Sequence, residues 1–258
     1  MGPNLPPGVL IGAVPIAPQP PAVATCSDTM LHGLEFPCRG PQTGPSREEF
    51  TVKVKPSPSN LAYHSGPLEL HADLPFYEYQ PGVQFLHCIV QYQGEGGDSL
   101  IADAANVARQ LQQTYPEHYR VLTETRVEWS DRGTDETREF YKVQRLPMIS
   151  LDQSGEIHRI NLSQPQRDSY FSVPAGDVQA WYAALAAFRD LMTDPKNYIQ
   201  SRMTPGTILT FDNLRILHGR TGNMSVLGER HVEGCYVDWD EVSSRRRVLE
   251  TKLGPGSL

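Results

Sequence analysis

The sequence is poor in the features that would place it in several large functional classes. Its four cysteines, Cys26, Cys38, Cys88 and Cys235, show neither the CxxC pairing of a zinc site nor the density of a disulfide framework. No zinc is expected, and a reducing, cytoplasmic setting is. Positive charge is scarce: the net charge is −7 and the basic residues are scattered apart from one short run, Arg245 to Arg247. An electrostatic footprint for nucleic acid is therefore not expected. Long apolar runs are missing as well. The apolar start PPGVLIGAVPIAPQPPAVA lacks a basic n-region and is broken by prolines, so it reads as neither a signal peptide nor a membrane span. No internal repeat is visible. What remains is a soluble chain of 258 residues, 39% hydrophobic and 21% charged, long enough to bury a sizeable core.

Proline divides the chain. More than half of its 22 prolines fall in the first 60 residues, where neither helical nor strand periodicity lasts, so residues 1–58 read as a proline-rich, disordered leader and 59–258 as the folded domain. Gly82 to Tyr92, GVQFLHCIVQY, is rich in β-branched and aromatic residues; GEGGD after it supplies glycines for a hairpin turn, and SLIAD reads as the returning strand. Asp103 can cap a helix from Ala104 to about Thr114, with Ala104, Val107, Ala108 and Leu111 in one stripe. After Pro174, Val178, Trp181, Leu185, Phe188 and Met192 recur at helical spacing. TPGTILTFDNLRILHGR reads as strand, turn, strand, with Asp212 and Asn213 in the turn, and RHVEGCYVDW as one more strand. The pattern is mainly β with two or three inserted helices. It predicts an antiparallel barrel or jelly roll rather than a doubly wound sheet.

The chemistry-bearing stretch is LELHADLP. In a strand, residues i and i+2 face the same way, so His71 and Asp73 can present an imidazole and a carboxylate to one point. His218, in the strand-like LRILHGR, offers a third ligand. Two histidines and one carboxylate on one face of an iron leave three positions open, as in non-haem Fe(II) oxygenases. A 2-oxoacid can fill two of them and dioxygen the third. The far carboxylate of such a cosubstrate calls for an arginine fork, for which Arg230 is the candidate. Taken alone, HxD arises readily by composition, and a lone strand histidine such as His87 or His218 is more often structural.

The segments NLAYHSGPLELHADLP, GVQFLHC, GGDS, RINL, FDNLRILHGR and RHVEGCYVDWD resemble, in order and spacing, the catalytic domain of the gamma-butyrobetaine dioxygenases, a TauD-like family of Fe(II)- and 2-oxoglutarate-dependent hydroxylases. The likeness runs from about Asn60 to Leu249. It implies a double-stranded β-helix (jelly roll), incomplete at its N-terminal side, because the family's zinc domain and upstream catalytic part are not recognisable here. It implies His71, Asp73 and His218 as iron ligands and Arg230 as the 2-oxoglutarate arginine. It also implies Asn60 and Asn161 on the substrate carboxylate, and Tyr63 and Tyr236 in the aromatic cage of a trimethylammonium group, whose natural partners are ring faces because it donates no hydrogen bond. Outside that likeness, either tyrosine reads as core packing. Leu74 stands where the family would have an aromatic polar residue. The activity implied is hydroxylation of gamma-butyrobetaine to L-carnitine with O2 and 2-oxoglutarate, ascorbate as reductant, and a homodimer. The alternatives are trimethyllysine dioxygenase and an inactive truncated homologue acting at most as a dimerisation partner.

Overall fold

The computed structural model describes residues 9–13, 49–53, 66–134, 139–222 and 229–254. Among these described residues, fourteen strands and four α-helices follow one another: β1 Val9–Ala13, β2 Glu49–Lys53, β3 Leu68–His71, β4 Val83–Val90, β5 Ser99–Asp103, α1 Ala104–Thr114, α2 Pro116–Glu124, β6 Arg126–Thr134, β7 Glu139–Pro147, β8 Ile149–Leu151, β9 Ile157–Ile160, β10 Arg167–Phe171, α3 Val178–Met192, β11 Tyr198–Ser201, β12 Thr207–Asp212, β13 Ile216–Arg220, β14 His231–Val237 and α4 Trp239–Leu253. Two antiparallel sheets carry the architecture, one ordered β1-β12-β4-β14-β2 and the other β11-β5-β13-β3. A three-stranded sheet β10-β6-β7 and the pair β8-β9 are appended to them. The fold is the jelly roll that the sequence pattern predicts.

The turns behave differently from the sequence expectation. β4 and β5 are joined by the glycine-rich turn but do not pair; β4 pairs with β12 and β14, whereas β5 pairs with β11 and β13. GEGGD is therefore a crossing between sheets and not a hairpin, with Gly96 and Gly97 at φ 86° and 77°, where a Cβ would be strained. The FDN turn between β12 and β13 crosses in the same way. A hairpin and a sheet-to-sheet crossing share one local signal, apolar strand, turn residues, apolar strand. Only the partners of each strand separate them.

The stretch read as a disordered leader contains β1 and β2, which close the two edges of the larger sheet against β12 and β14. Prolines lie on either side of each segment rather than inside it, and an edge strand tolerates that, because half of its backbone groups need no partner in the sheet.

Alternation along the inner strands divides the core. On β5 and β13, Ile101 and Ile216 turn inward between the sheets with Cys88, Leu209 and Phe211, while Ala102 and Leu217 turn outward to the helices. The helical side is the larger core. There α1 and α3 bury Val107, Leu111, Trp181, Leu185 and Phe188 against Trp129, Ile149 and Ile160, and both helices occupy the ranges that their periodicity predicts. Two further helices, α2 and α4, were not read from the sequence. α2 begins on Pro116 and fully buries only Leu122, with Tyr119 and Val121 half-buried against the core, and α4 fully buries none of its side chains, so their apolar faces are narrow. No helix among the described residues is long and apolar enough to cross a membrane.

Asp103 joins the two layers. Its carboxylate accepts from the Asn106 N–H at 3.1 Å, capping α1, and from Arg215 Nε and Nη2 at 3.1 and 2.7 Å. Asp103→Ala removes a cap and strands a partly buried guanidinium, so it is expected to lower stability by about 2–3 kcal/mol in urea denaturation, whereas Asp103→Asn, which keeps the cap, should cost less.

Candidate metal centre

β3 presents His71 at its last position, where Leu70 before it and Ala72 after it turn into the helical core. Ala72 N–H is taken by Leu162 O at 2.8 Å, so the chain beyond β3 is held and Asp73 returns to the His71 side. β13 lies antiparallel to β3 with His218 directly opposite His71, and the two rings lie 4.4 Å apart between centroids. Facing residues on adjacent strands are brought this close by the pairing itself. The Asp73 Oδ1 is 3.1 Å from His71 Nε2 and 3.8 Å from His218 Nε2. One ligand atom from each residue lies within 4.8 Å of the others.

The surroundings aim these atoms. The His71 Nδ1–H donates to Glu69 O at 2.8 Å, which turns Nε2 inward. The other carboxylate oxygen, Asp73 Oδ2, accepts from Gln84 Nε2 and Tyr236 Oη, each at 2.7 Å. Both of its lone-pair directions are thus engaged, and Oδ1 is the oxygen presented to the histidines. A divalent ion would find two imidazole nitrogens and one carboxylate oxygen converging from one side, with the cavity on the other. The donor set suits Fe(II).

The three side chains of the centre shift one another's pKa values. Burial pushes the Asp73 carboxyl up, but the neighbouring histidines and the Tyr236 hydroxyl outweigh it and hold it well below the usual carboxylate range. Burial pushes His71 down, but the hydrogen bond and the charge of Asp73, with the Glu69 carbonyl, raise it above 6.5. His218 is lowered to about 4, by burial first and then by the charge of His71. The two imidazoles, tilted and 4.4 Å apart, oppose each other's protonation, which favours a proton on His71 over one on His218.

A cavity, partly open to solvent, extends from the centre between the sheets. Two arginines line it. Arg230, next to β14, is buried, burial lowers its pKa, and its Nε has no hydrogen-bond partner among the described residues. Arg220, two residues beyond His218 on the same face of β13, is also buried; burial and then the charge of Arg230 depress it to about 10, and its Nη2 donates to Gly66 O at 3.2 Å. The buried Arg230 guanidinium, lining the cavity, suits an anionic ligand.

The cavity wall thus brings together His71, Asp73, His218 and Arg230, with Arg220, Gln84, Ser99 and Met203, which the sequence reading did not include. Period two along β13, from His218 to Arg220, was the available signal for Arg220. Gln84 had none, because β4 meets Asp73 only in three dimensions. Tyr236 reaches the centre through its hydroxyl, and its ring stacks on Phe50 at 5.1 Å. Asn161 is fully buried outside this lining, with its carboxamide donating to Pro147 O and Ser150 Oγ and accepting from Arg159 Nε. Asn60 and Tyr63 lie outside the described residues.

Residues 22–236 match the family described as "Taurine catabolism dioxygenase TauD, TfdA family". The chain is 41% identical over 209 residues to the gamma-butyrobetaine dioxygenase of Homo sapiens, covering 81% of this chain and 54% of that one. It is 28% identical over 194 residues to the mitochondrial trimethyllysine dioxygenase of Rattus norvegicus, covering 75% and 45%. The chain thus spans about half the length of these relatives. Its fold matches that of the non-heme iron oxygenase OrfP, solved with Fe and alpha-ketoglutaric acid, with a TM-score of 0.52 at 18% identity, covering 76% of this chain and 58% of that one.

Because a metal binds His71 only in its neutral form, and the Asp73 charge raises the His71 pKa, affinity for a divalent ion is expected to fall about tenfold per pH unit below that pKa, with a proton released on uptake. Calorimetric titration in buffers of different ionisation enthalpy measures both; buffer-independent heats would contradict the assignment.

Proposed function

The chain belongs to the TauD/TfdA dioxygenase family, and on that premise we propose that it hydroxylates gamma-butyrobetaine to L-carnitine, with Fe(II) held by His71, Asp73 and His218 and 2-oxoglutarate as cosubstrate. The observation that carries the reading is the convergence of those three ligand atoms on a cavity lined by buried arginines. Bound ferrous iron would supply the activation of dioxygen that accompanies decarboxylation of the oxoacid to succinate and CO2, with ascorbate keeping the metal reduced.

The chain's own residues do the remaining work. Arg230 offers a planar, two-pronged donor to the far carboxylate of 2-oxoglutarate, and its burial makes an anion the natural partner. Gln84 and Tyr236 hold one oxygen of Asp73, so that the other faces the metal position. The apolar part of the cavity wall, Leu68, Leu86, Met203 and Val232 among it, limits water at the reacting side. Asn60, Tyr63 and Tyr236 are proposed to meet the two ends of the trimethylammonium carboxylate. Asn161 would join them by exchanging its contacts with Pro147 and Ser150 for the substrate carboxylate. Holding both ends would bring one C–H bond to the oxidising position.

Greater identity to the gamma-butyrobetaine enzyme than to trimethyllysine dioxygenase, 41% against 28%, favours the first substrate. The second reading is an inactive homologue that acts at most as a dimerisation partner.

Succinate release from the purified chain with Fe(II), ascorbate and 2-oxoglutarate decides among the readings. Stimulation by gamma-butyrobetaine above trimethyllysine is expected, with Asp73→Ala losing at least about a hundredfold, as the removal of a metal ligand should. Stimulation by trimethyllysine alone would reassign the substrate, and folded protein with no substrate-dependent turnover would favour the inactive homologue. Arg230→Met should raise the KM for 2-oxoglutarate by about a hundredfold, the cost of an unpaired buried carboxylate.

A further inference from the structure

Leu74 is the one non-glycine residue with a positive φ among the described residues, at 56°. In that region the Cβ of an L-residue crowds its own backbone, and leucine has no short polar group to compensate. The strained residue directly follows a proposed metal ligand.

The backbone before it is gripped on both sides. Asn213 Oδ1 accepts the Asp73 N–H at 2.8 Å, and Asn213 Nδ2 donates to the Asp73 carbonyl at 3.0 Å. Gln80 Nε2 donates to the same carbonyl at 2.7 Å, and the Tyr77 N–H bonds to Leu74 O at 3.1 Å. Asn213 is wholly buried. Its Nδ2 also reaches Pro81 O at 3.1 Å, and its own N–H bonds to Gly82 O at 2.7 Å. It occupies the crossing between β12 and β13, just ahead of His218. One carboxamide therefore ties the backbone of one ligand to the turn that delivers another. The pairing demands an acceptor and a donor on one planar group, which alanine, serine and aspartate do not supply.

We propose that Asn213 is a positioning residue of the metal centre: its carboxamide holds the Asp73–Leu74 backbone in the left-handed turn that aims the Asp73 carboxylate at His71 and His218. It touches no ligand atom, yet affinity and ligand geometry depend on it. The inference rests on the reading of His71, Asp73 and His218 as a metal centre.

Titration with Co(II), followed by its visible absorption, tests it without turnover. Asn213→Ala and Asn213→Asp are expected to bind Co(II) about ten- to a hundredfold more weakly, as loss of a ligand's supporting hydrogen bond does, and with a shifted spectrum, at a temperature where circular dichroism shows them folded. Leu74→Gly accepts a positive φ unaided, so in the Asn213→Ala background it should recover much of the affinity, while changing the parent chain by less than about twofold. If Asn213→Ala does not fold, Asn213→Asp with and without Leu74→Gly gives the same comparison. Wild-type affinity and spectrum in the Asn213 variants, or no recovery with glycine, would overturn the proposal alone. A parent chain that binds no Co(II) would overturn the metal-centre reading, and this with it.

Discussion

The Asp73 carboxylate lies between two imidazoles, and nearly every other element of the fold can be read from what that placement requires. An anion taken out of water needs close partners. His71 and His218 meet one oxygen, and Gln84 and Tyr236 the other. These five residues come from or next to β3, β4, β13 and β14, strands of both facing sheets. The centre therefore exists only where the two sheets close on each other.

Closure depends on the crossings. Were GEGGD and FDN hairpins, β4 would lie beside β5 and β12 beside β13, and Gln84 would share a sheet with His218 instead of facing it. Because they are crossings, β4 and β14 form one wall and β3 and β13 the other. The same arrangement brings Arg220 and Arg230 into one cavity, at a cost in desolvation that an anionic ligand would offset. Strain at Leu74 belongs to this account: a left-handed leucine beside the centre persists because the surrounding hydrogen bonds over-determine it.

Much of the site was legible in the chain. HxD places two donors on one side at strand spacing, and His218 stands in a run that reads as a strand. Arg230 follows at a short interval. α1 and α3 were visible through Asp103 and through the Trp181–Leu185–Phe188 stripe. The parts that were not legible lack a local signature. α2 and α4 fully bury only Leu122 between them, and β1 and β2 stand in proline-rich surroundings that hide a five-residue edge pairing each. Asn161 shows the opposite limit, since an asparagine's type says nothing of whether its amide is already engaged inside the fold.

By itself the order of residues determined which groups can bind a metal, on which face of each strand they lie, and where α1 starts, because side-chain direction and the Asp103 cap are set within a few bonds. Which strand neighbours which, and hence that Gln84 and Tyr236 cap Asp73 or that Asn213 clamps its backbone across 140 positions of chain, was decided only in the tertiary structure. Those contacts arise from the packing of two sheets, which no short stretch of sequence encodes.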